Sequence, residues 1–470
     1  MTGDATSVRD DAAAIRAAAI DGVRPDRLIS RRLAVAANRI VVDGTPLEPP
    51  VSLGGGRVAV VGGGKAAAAM AAGVVDLLAL VCGDRVTGLV SVPEGCGRDL
   101  LGVEVRRTRP AGANLPTPAV VAATQEMLAE LESLAPADLA IVLISGGGSA
   151  LLEAPPPGVP LDELIAVTEF LSASGVGITA LNAVRRAASG VKGGGLARAC
   201  GAGRMLVLVL SDVIGDPLEF IASGPCVPAP GGSAAAVAIL ERSGVIAAGI
   251  APRLVAALEA DLRRARGPAE PEEVALAGSW LTPTGCRVEH VLLGNNATAV
   301  DAAAAAAATL GYAVTTRPAD AGPAESADDV GKRLATEGLA LVALATSDGR
   351  PRAIIEGGEA VVRLPHDHGV GGRSQQTAAA ALVEVLRSSH WPPGFLVASV
   401  GTDGEDGPTT AAGGLADAAV AARIRELHLD PAAAVARCDA YPLLEKAGGL
   451  IVTGPTCTNV ADVRIVLARP

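Results

Sequence analysis

Short runs of β-branched and aliphatic residues alternate along the chain with longer alanine-rich stretches. The apolar runs predict strands at Arg57–Val61, Val86–Val92, Leu139–Ile144, Met205–Leu210, Val288–Leu293, Leu339–Ala345, Phe395–Val400 and Leu450–Val452. Several are apolar at consecutive positions, the mark of strands covered on both faces. The intervening stretches predict helices at Ala66–Leu80, Pro118–Leu134, Leu161–Ser172, Asn296–Leu310, Ser326–Thr336 and Ser374–Leu386. Strand–helix–strand repetition of this kind predicts an α/β fold with mainly parallel sheets. The pattern breaks at Pro225–Ser233, continues through helical segments that include Pro252–Arg266, and meets a loop at Gly267–Glu273 before strands resume. The expected division is therefore an N-terminal α/β domain over 1–235, a helical connecting segment over 236–287 and a C-terminal α/β domain over 288–470. An active-site cleft is expected between the two domains.

The predicted strands end in clusters of glycine and polar residues. Val61 leads into Gly62-Gly63-Gly64-Lys65, and Ile144 into Ser145-Gly146-Gly147-Gly148-Ser149. Leu210 leads into Ser211, Asp212, Gly215 and Asp216, and Leu293 into Gly294-Asn295-Asn296. Val400 leads into Gly401-Thr402-Asp403-Gly404-Glu405-Asp406, and Val452 into Thr453-Gly454-Pro455-Thr456. Ligands of open parallel sheets bind beyond the carboxyl ends of the strands. Glycines there admit a ligand close to the backbone, and a following helix start offers N–H groups to an anion. Six such turns carrying Lys, Asp and Ser point to a large phosphate-bearing ligand. The turn after Val61 is not a Walker A loop, because Ala66 follows Lys65 where Ser or Thr should hold Mg²⁺. Gly62-x-Gly64-x-x-Ala67 meets only a relaxed dinucleotide fingerprint, and the acid at the right spacing, Asp84, precedes its strand instead of closing it.

Three groups of cations add to this. Lys65 sits at a predicted helix start, where its ammonium would add to the dipole in clamping a phosphate. Arg185 and Arg186 precede Lys192-Gly193-Gly194-Gly195. Arg373 opens the helix after Gly371-Gly372, an unfavourable place for a cation unless an anion sits there. Carboxylates complete the set, with Asp212 and Asp216 at one strand end, Asp403 and Asp406 at another, and Glu359 in Glu356-Gly357-Gly358-Glu359; they would either cap helices or hold Mg²⁺. His366-Asp367-His368 has no evident third ligand and predicts no metal site.

Composition narrows the class. The 470 residues carry 39 basic and 50 acidic side chains, a formal charge of -11, which argues against a nucleic-acid binder. Mean hydropathy is +0.40, but alanine and glycine supply most of it; no apolar run is expected to approach the ~18–20 residues of a spanning helix, and the longest, such as Leu139–Ile144, are strand-sized. The polar, acidic start lacks the apolar core of a signal peptide. These features predict a cytoplasmic protein with no membrane partner. Seven scattered cysteines without a CxxC pair predict small buried side chains, not a disulfide framework or a zinc site.

Taken in order, the segments VGGGKAAAAMA (Val61–Ala71), ISGGGSALLEAP (Ile144–Pro155), LNAVRRAASGVKGGGLA (Leu181–Ala197), LSDVIGDPLEFIASGP (Leu210–Pro225), LLGNNATAVDAA (Leu292–Ala303), EGGEAVV (Glu356–Val362), GVGGRSQQ (Gly369–Gln376), VGTDGEDGPTTAAGG (Val400–Gly414) and TGPTCTNVADV (Thr453–Val463) resemble the class II glycerate 2-kinases. That family joins an N-terminal DUF4147 domain to a C-terminal MOFRL domain. The resemblance implies transfer of a phosphoryl group from ATP, with Mg²⁺, to the 2-hydroxyl of D-glycerate or a closely related small hydroxy acid. It puts the family's catalytic lysine on Lys65 and its catalytic arginine on Arg373. Asp212 is expected to join them in catalysis and, with Asp216 and Asp403, to hold Mg²⁺. The nucleotide is expected on Gly62, Gly63, Gly64, Ser145, Gly146, Gly147, Gly148, Ser149, Asn295 and Asn296, and the acceptor on Arg185 and Lys192. ATP and the hydroxy acid are the expected partners, with a homodimer left open.

The chain also departs from the family pattern. Ala113 stands where a histidine is usual, and Ala187 replaces a second histidine. Ser374 and Gln376 stand for Asn and Glu, and Cys457 and Ala461 for Gly and Asn. Two competing readings follow: an NAD(P)H-dependent hydroxypyruvate reductase, and a degenerate homologue that binds a metabolite without turnover.

Overall fold

A computed structural model of the chain describes residues 7–48, 53–110, 114–229, 232–264, 274–276, 279–320, 322–388 and 390–470. Ala113, the whole of Gly267–Glu273 and the last residues of the predicted helix Pro252–Arg266 lie outside them. The chain divides into two compact units. One comprises Pro25–Leu210 and Asp216–Leu293, the other Met1–Arg24, Ser211–Gly215 and Gly294–Pro470.

The first unit is built on an eight-stranded sheet. A small antiparallel sheet, β1 (Leu33–Ala36), β2 (Arg39–Val42) and β3 (Thr45–Pro46), precedes it. The large sheet contains β4 (Val58–Gly63), β5 (Val86–Pro93), β6 (Val103–Arg109), β7 (Leu139–Ser145), β8 (Arg204–Leu210), β9 (Val274–Leu276), β10 (Ser279–Leu281) and β11 (Arg287–Gly294), in the order β6-β5-β4-β7-β8-β11-β10-β9. Strands β4 to β8 pair in parallel, while β9, β10 and β11 form an antiparallel edge. Every residue of β4, β7 and β8 is buried, which explains their unbroken apolar runs.

Helix Ala67–Cys82 packs on this sheet with alanines, and Gly73 meets Ile29 of the helix Pro25–Arg32. The stretch Ala67–Arg85 is long and apolar enough to cross a membrane, with a mean hydropathy of 1.7, contrary to the expectation that no run approaches that length. Its alanines account for the difference, and 56% of the stretch is buried in this unit as a core helix.

The segment expected as a connector over 236–287 belongs to this unit. Helices Gly232–Arg242 and Pro252–Arg264 share one apolar cluster with Leu161–Ala173 and Ile178–Ala187, through Leu240, Leu254, Leu171 and Val184. The strand expected to open the C-terminal domain is β11, which completes the eight-stranded sheet.

The second unit holds a six-stranded sheet of β12 (Ala313–Arg317), β13 (Arg352–Gly358), β14 (Phe395–Gly401), β15 (Gly413–Asp417), β16 (Leu450–Ile451) and β17 (Asp462–Ala468), in the order β12-β13-β17-β14-β15-β16. Only β12 and β13 pair in parallel here, because the C-terminal β17 inserts antiparallel between β13 and β14. The parallel order of the fold is thus carried by the eight-stranded sheet. Leu339–Ala345, expected as a strand, lies inside the helix Ala327–Asp348. Its buried residues Val330, Gly331, Leu334, Ala335, Gly338 and Ala345 follow a helical period, and Gly338 lets the helix press against the Phe395 ring.

The N-terminal helix Val8–Gly22 belongs to this second unit. Ser7 and Asp10 form its capping box. Gly22 packs on Ala302 of the helix Asn296–Thr309. Buried Asp11 accepts a 2.5 Å hydrogen bond from Tyr312 Oη and pairs with Arg469, whose Nε donates to Tyr312 Oη at 2.9 Å. These groups tie the first helix to the last strand. Asp11→Ala leaves a buried hydroxyl and a partly exposed guanidinium without their carboxylate, and a loss of roughly 2 kcal/mol is expected in a urea or thermal titration. An unchanged midpoint contradicts this role.

Candidate active site

Gly62 and Gly63 are the last residues of β4, and Gly64-Lys65 forms the turn into the helix Ala67–Cys82. Gly62 has φ +151, and a Cβ there would lie 2.1 Å from the Leu143 carbonyl oxygen of β7. Gly64 has φ +142, and its Cβ would strike Ser145 Oγ at 2.1 Å. These two glycines are therefore required by the approach of the neighbouring strand, not by open space for a ligand. Gly63 is likewise covered by Leu152. Two hydrogen bonds then fasten the turns together. Lys65 N–H donates to the Gly146 carbonyl at 2.9 Å, and Ala66 N–H donates to Ser145 Oγ at 3.1 Å.

This fastening sets the half-buried Lys65 side chain over the second glycine turn. A methyl group on Gly147, whose φ is +77, would lie 3.6 Å from Lys65 Cγ and 3.8 Å from Arg109 Nη2. Gly148 packs on Ala222, and Ser149 Oγ shares a 3.0 Å hydrogen bond with Ser223 Oγ. Ala222, Ser223 and Gly224 all have positive φ, at 49°, 63° and 63°. The Gly193 and Gly194 N–H groups donate to the Ser223 and Gly224 carbonyls, so the third glycine cluster is pinned to the same loop. In one unit the structure thus gathers Lys65, Gly146, Gly147, Gly148, Ser149 and Arg109, the last unforeseen.

Lys192, expected on the acceptor, is enclosed within the protein. Its ammonium is 2% exposed and pairs with Glu153, itself 1% exposed. An ion pair so enclosed holds its charge inside the protein. Arg185 lies within the field of the same carboxylate; burial lowers its pKa and Glu153 opposes the shift. Arg186 donates to the Glu219 carbonyl and covers the Phe220 ring at 5.5 Å. The dinucleotide fingerprint gains no support, since Asp84 sits in a single turn, Gly83–Arg85, ahead of β5.

In the second unit, Arg373 opens the helix Arg373–Ser388. The anion expected beside it comes from the chain itself. Nε and Nη2 grip Asp462 in a bidentate pair at 2.7 and 2.9 Å, and Nη1 donates to Glu359 at 2.5 Å. The helix start is taken by Asp406, whose carboxylate accepts the Ser374 and Gln375 N–H groups at 3.0 and 2.8 Å. Burial, with Asp462 adding to it, pushes Asp406 up to about 7. Burial also raises Glu359, where Arg373 opposes and Asp462 and Asp403 add to the shift. Asp462 leads the groups that raise the Arg373 pKa against burial.

Asn295 and Asn296 have structural duties. Asn295 caps the helix Asn296–Thr309 in a capping box with Thr298. Asn296, buried, donates to the Val460 and Asp462 carbonyls at 2.8 and 2.9 Å. Asp212 accepts from Asn459 Nδ2 at 3.1 Å, and Asp403 Oδ1 accepts the Glu405 N–H at 3.0 Å. Asp216 belongs to the first unit, so Asp212 and Asp216 do not share one. Among the described residues no three His, Cys, Asp or Glu groups gather to hold a metal.

Four of the departures from the family pattern, Ser374, Gln376, Cys457 and Ala461, lie in this unit. Cys457 and Ala461 have φ of +56 and +66, where the usual Gly and Asn would be at ease. The left-handed backbone here falls on residues unsuited to it. Gln376 donates to Asp328 at 2.7 Å, where a glutamate would meet like charge. Ser374 accepts from Ser399 at 3.0 Å.

A domain of unknown function, DUF4147, matches residues 11–259, and the MOFRL family matches 352–462. The chain belongs to the DUF4147–MOFRL, class II glycerate 2-kinase family. It is 32% identical over 457 residues to a glycerate 2-kinase of Pyrococcus horikoshii, covering 96% of this chain and 94% of that one. It is 31% identical to a D-glycerate 2-kinase of Thermotoga maritima over 99% of both. The crystal structure of a glycerate kinase from Thermotoga maritima superposes with a TM-score of 0.76 over 98% of this chain and 99% of that one, at 31% identity. Family membership makes this protein a phosphotransferase with an alcohol group as acceptor.

The Asp406 carboxyl gives a pH test of this unit. Its pKa in the folded protein stands above the ordinary 3.8. The folded protein therefore holds this proton more tightly than the unfolded chain does. The resulting stability is full below about pH 4 and is lost as the pH rises through about 7. Asp406→Asn is expected to flatten the thermal midpoint across that window relative to the wild type. Parallel profiles would refute it.

Proposed function

We propose that this protein transfers the terminal phosphoryl group of ATP to the 2-hydroxyl of D-glycerate, or of a closely related small hydroxy acid. The observation that carries the reading is the Lys65 side chain held over Gly147 between two fastened glycine turns. An ammonium so placed meets phosphate oxygens as they gain charge. In the transfer, the acceptor oxygen bonds to the phosphorus, the bond from phosphorus to the departing ADP oxygen breaks, and the hydroxyl proton leaves. The loop Gly146–Ser149 supports the reading through backbone that can come close to phosphate.

Asp212 is the candidate to orient the attacking hydroxyl or take its proton. Arg373 acts on this reading as a clamped cation, oriented by Asp462 and Glu359. Mg²⁺ carried in with the nucleotide needs only one or two protein carboxylates, and Asp212 and Asp403 would supply them. Its chemistry would be to neutralise charge on the phosphate oxygens. The remaining recognition is left to the chain's own cations, since Lys192 is enclosed with Glu153.

Incubation with ATP, Mg²⁺ and D-glycerate is expected to give 2-phosphoglycerate by phosphorus NMR. Lys65→Ala and Arg373→Ala are each expected to lower turnover by ~100-fold or more, as for loss of one charge-stabilising donor. Thermal midpoints separate the two causes at Arg373, since its removal also leaves buried Asp462 uncompensated. Full activity in a folded Lys65→Ala protein, or no turnover of any small hydroxy acid by the wild type, sinks the reading.

A further inference from the structure

Three arginines close strand β6, and the fold treats them differently. Arg106 spans Glu104 and Glu126 on the surface, bidentate with each. Arg107 is exposed, and Arg109 is only 3% exposed. Simple alternation would place Arg107 and Arg109 on the same face. A bulge prevents this: Val92 of β5 faces Arg107, and Pro93 faces Arg109, so Thr108 is an extra residue. Thr108 turns inward to share a 2.7 Å hydrogen bond with Ser91, and Arg109 turns inward with it. Bulges commonly re-aim a side chain beside an active site. This one delivers a guanidinium to the same glycine that Lys65 overlies, since a Cβ on Gly147 would meet both.

We propose that Arg109 is a second anion-binding residue, which grips with Lys65 an oxyanion of the substrates above Gly147. The proposal rests on the phosphotransferase reading of the same site. Two cations side by side repel each other, and an anion between them turns that repulsion into attraction on both sides. Lysine supplies a point charge, while the planar guanidinium takes two oxygens at once. Phosphate and carboxylate both present such a pair of oxygens.

The test compares the full-length wild type with Arg109→Gln and Arg109→Lys. Calorimetric binding of ATP with Mg²⁺, of inorganic tripolyphosphate and of D-glycerate is measured alongside KM for both substrates. Arg109→Gln is expected to weaken one anion by about tenfold or more, and Arg109→Lys, which keeps the charge without the fork, to recover only part of it. Loss confined to ATP and tripolyphosphate assigns the phosphate; loss confined to D-glycerate assigns the carboxylate. Folded variants that bind every probe and turn over like the wild type overturn the proposal, and Arg109→Lys decides alone if Arg109→Gln does not fold. A wild type that binds ATP without phosphorylating any hydroxy acid refutes the proposed function, while the tripolyphosphate comparison still reads Arg109. A wild type that binds none of the three probes overturns both.

Discussion

The parallel pairing of β4 with β7 is the constraint on which the site depends. Where the two strands end, Gly62 and Gly64 have no side chains, and the Leu143 carbonyl and Ser145 hydroxyl occupy that space. The close approach lets the Lys65 and Ala66 N–H groups bond across to the next turn. Two loops distant in sequence become one rigid ledge, and the lysine on the first overlies the glycines of the second. A side chain at either glycine would push the strands apart and lift the cation off the ledge. The packing requirement and the chemical one are therefore met by the same atoms.

The charges show a second economy. Cations here are held by acids at long sequence range: Lys192 by Glu153, Arg373 by Asp462 and Glu359, and Arg464 by Glu356. Most of these groups are buried, where an unpaired charge would be strongly destabilising and a paired one is held in a single orientation. The consequence differs by site. Lys192 is enclosed with its partner, whereas the one-third-exposed Arg373 is oriented and still accessible.

Sequence pattern revealed the elements whose burial is uniform. Strands β4, β7, β8 and β14 read clearly because every position is covered and nearly all are apolar. Strands β6, β13 and β17 did not, because VEVRRTR, RAIIEGG and DVRIVLA carry charges that only the folded chain pairs. Glu356 of β13 and Arg464 of β17 are direct cross-strand partners, 2.6 Å apart and buried together. The run at Leu339–Ala345 was ambiguous because a short apolar stretch fits a buried strand and a helix equally well. At the site, the glycine turns and Lys65 were legible as local motifs. The pairing of Lys192 with Glu153 and of Arg373 with Asp462 and Glu359, and the bulge that turns Arg109 inward, were not, since each depends on contacts between separate segments. The left-handed backbone at Cys457 and Ala461 was hidden for the opposite reason, because those residues give no sign of such a conformation.

A crystal structure of the full chain with Mg²⁺ and a non-hydrolysable ATP analogue addresses the central claim most directly. The account predicts the phosphates lying along Gly146–Gly148, with Lys65 Nζ within hydrogen-bonding distance of an oxygen on the terminal phosphorus. A nucleotide bound elsewhere, with that ammonium facing only solvent, would contradict it.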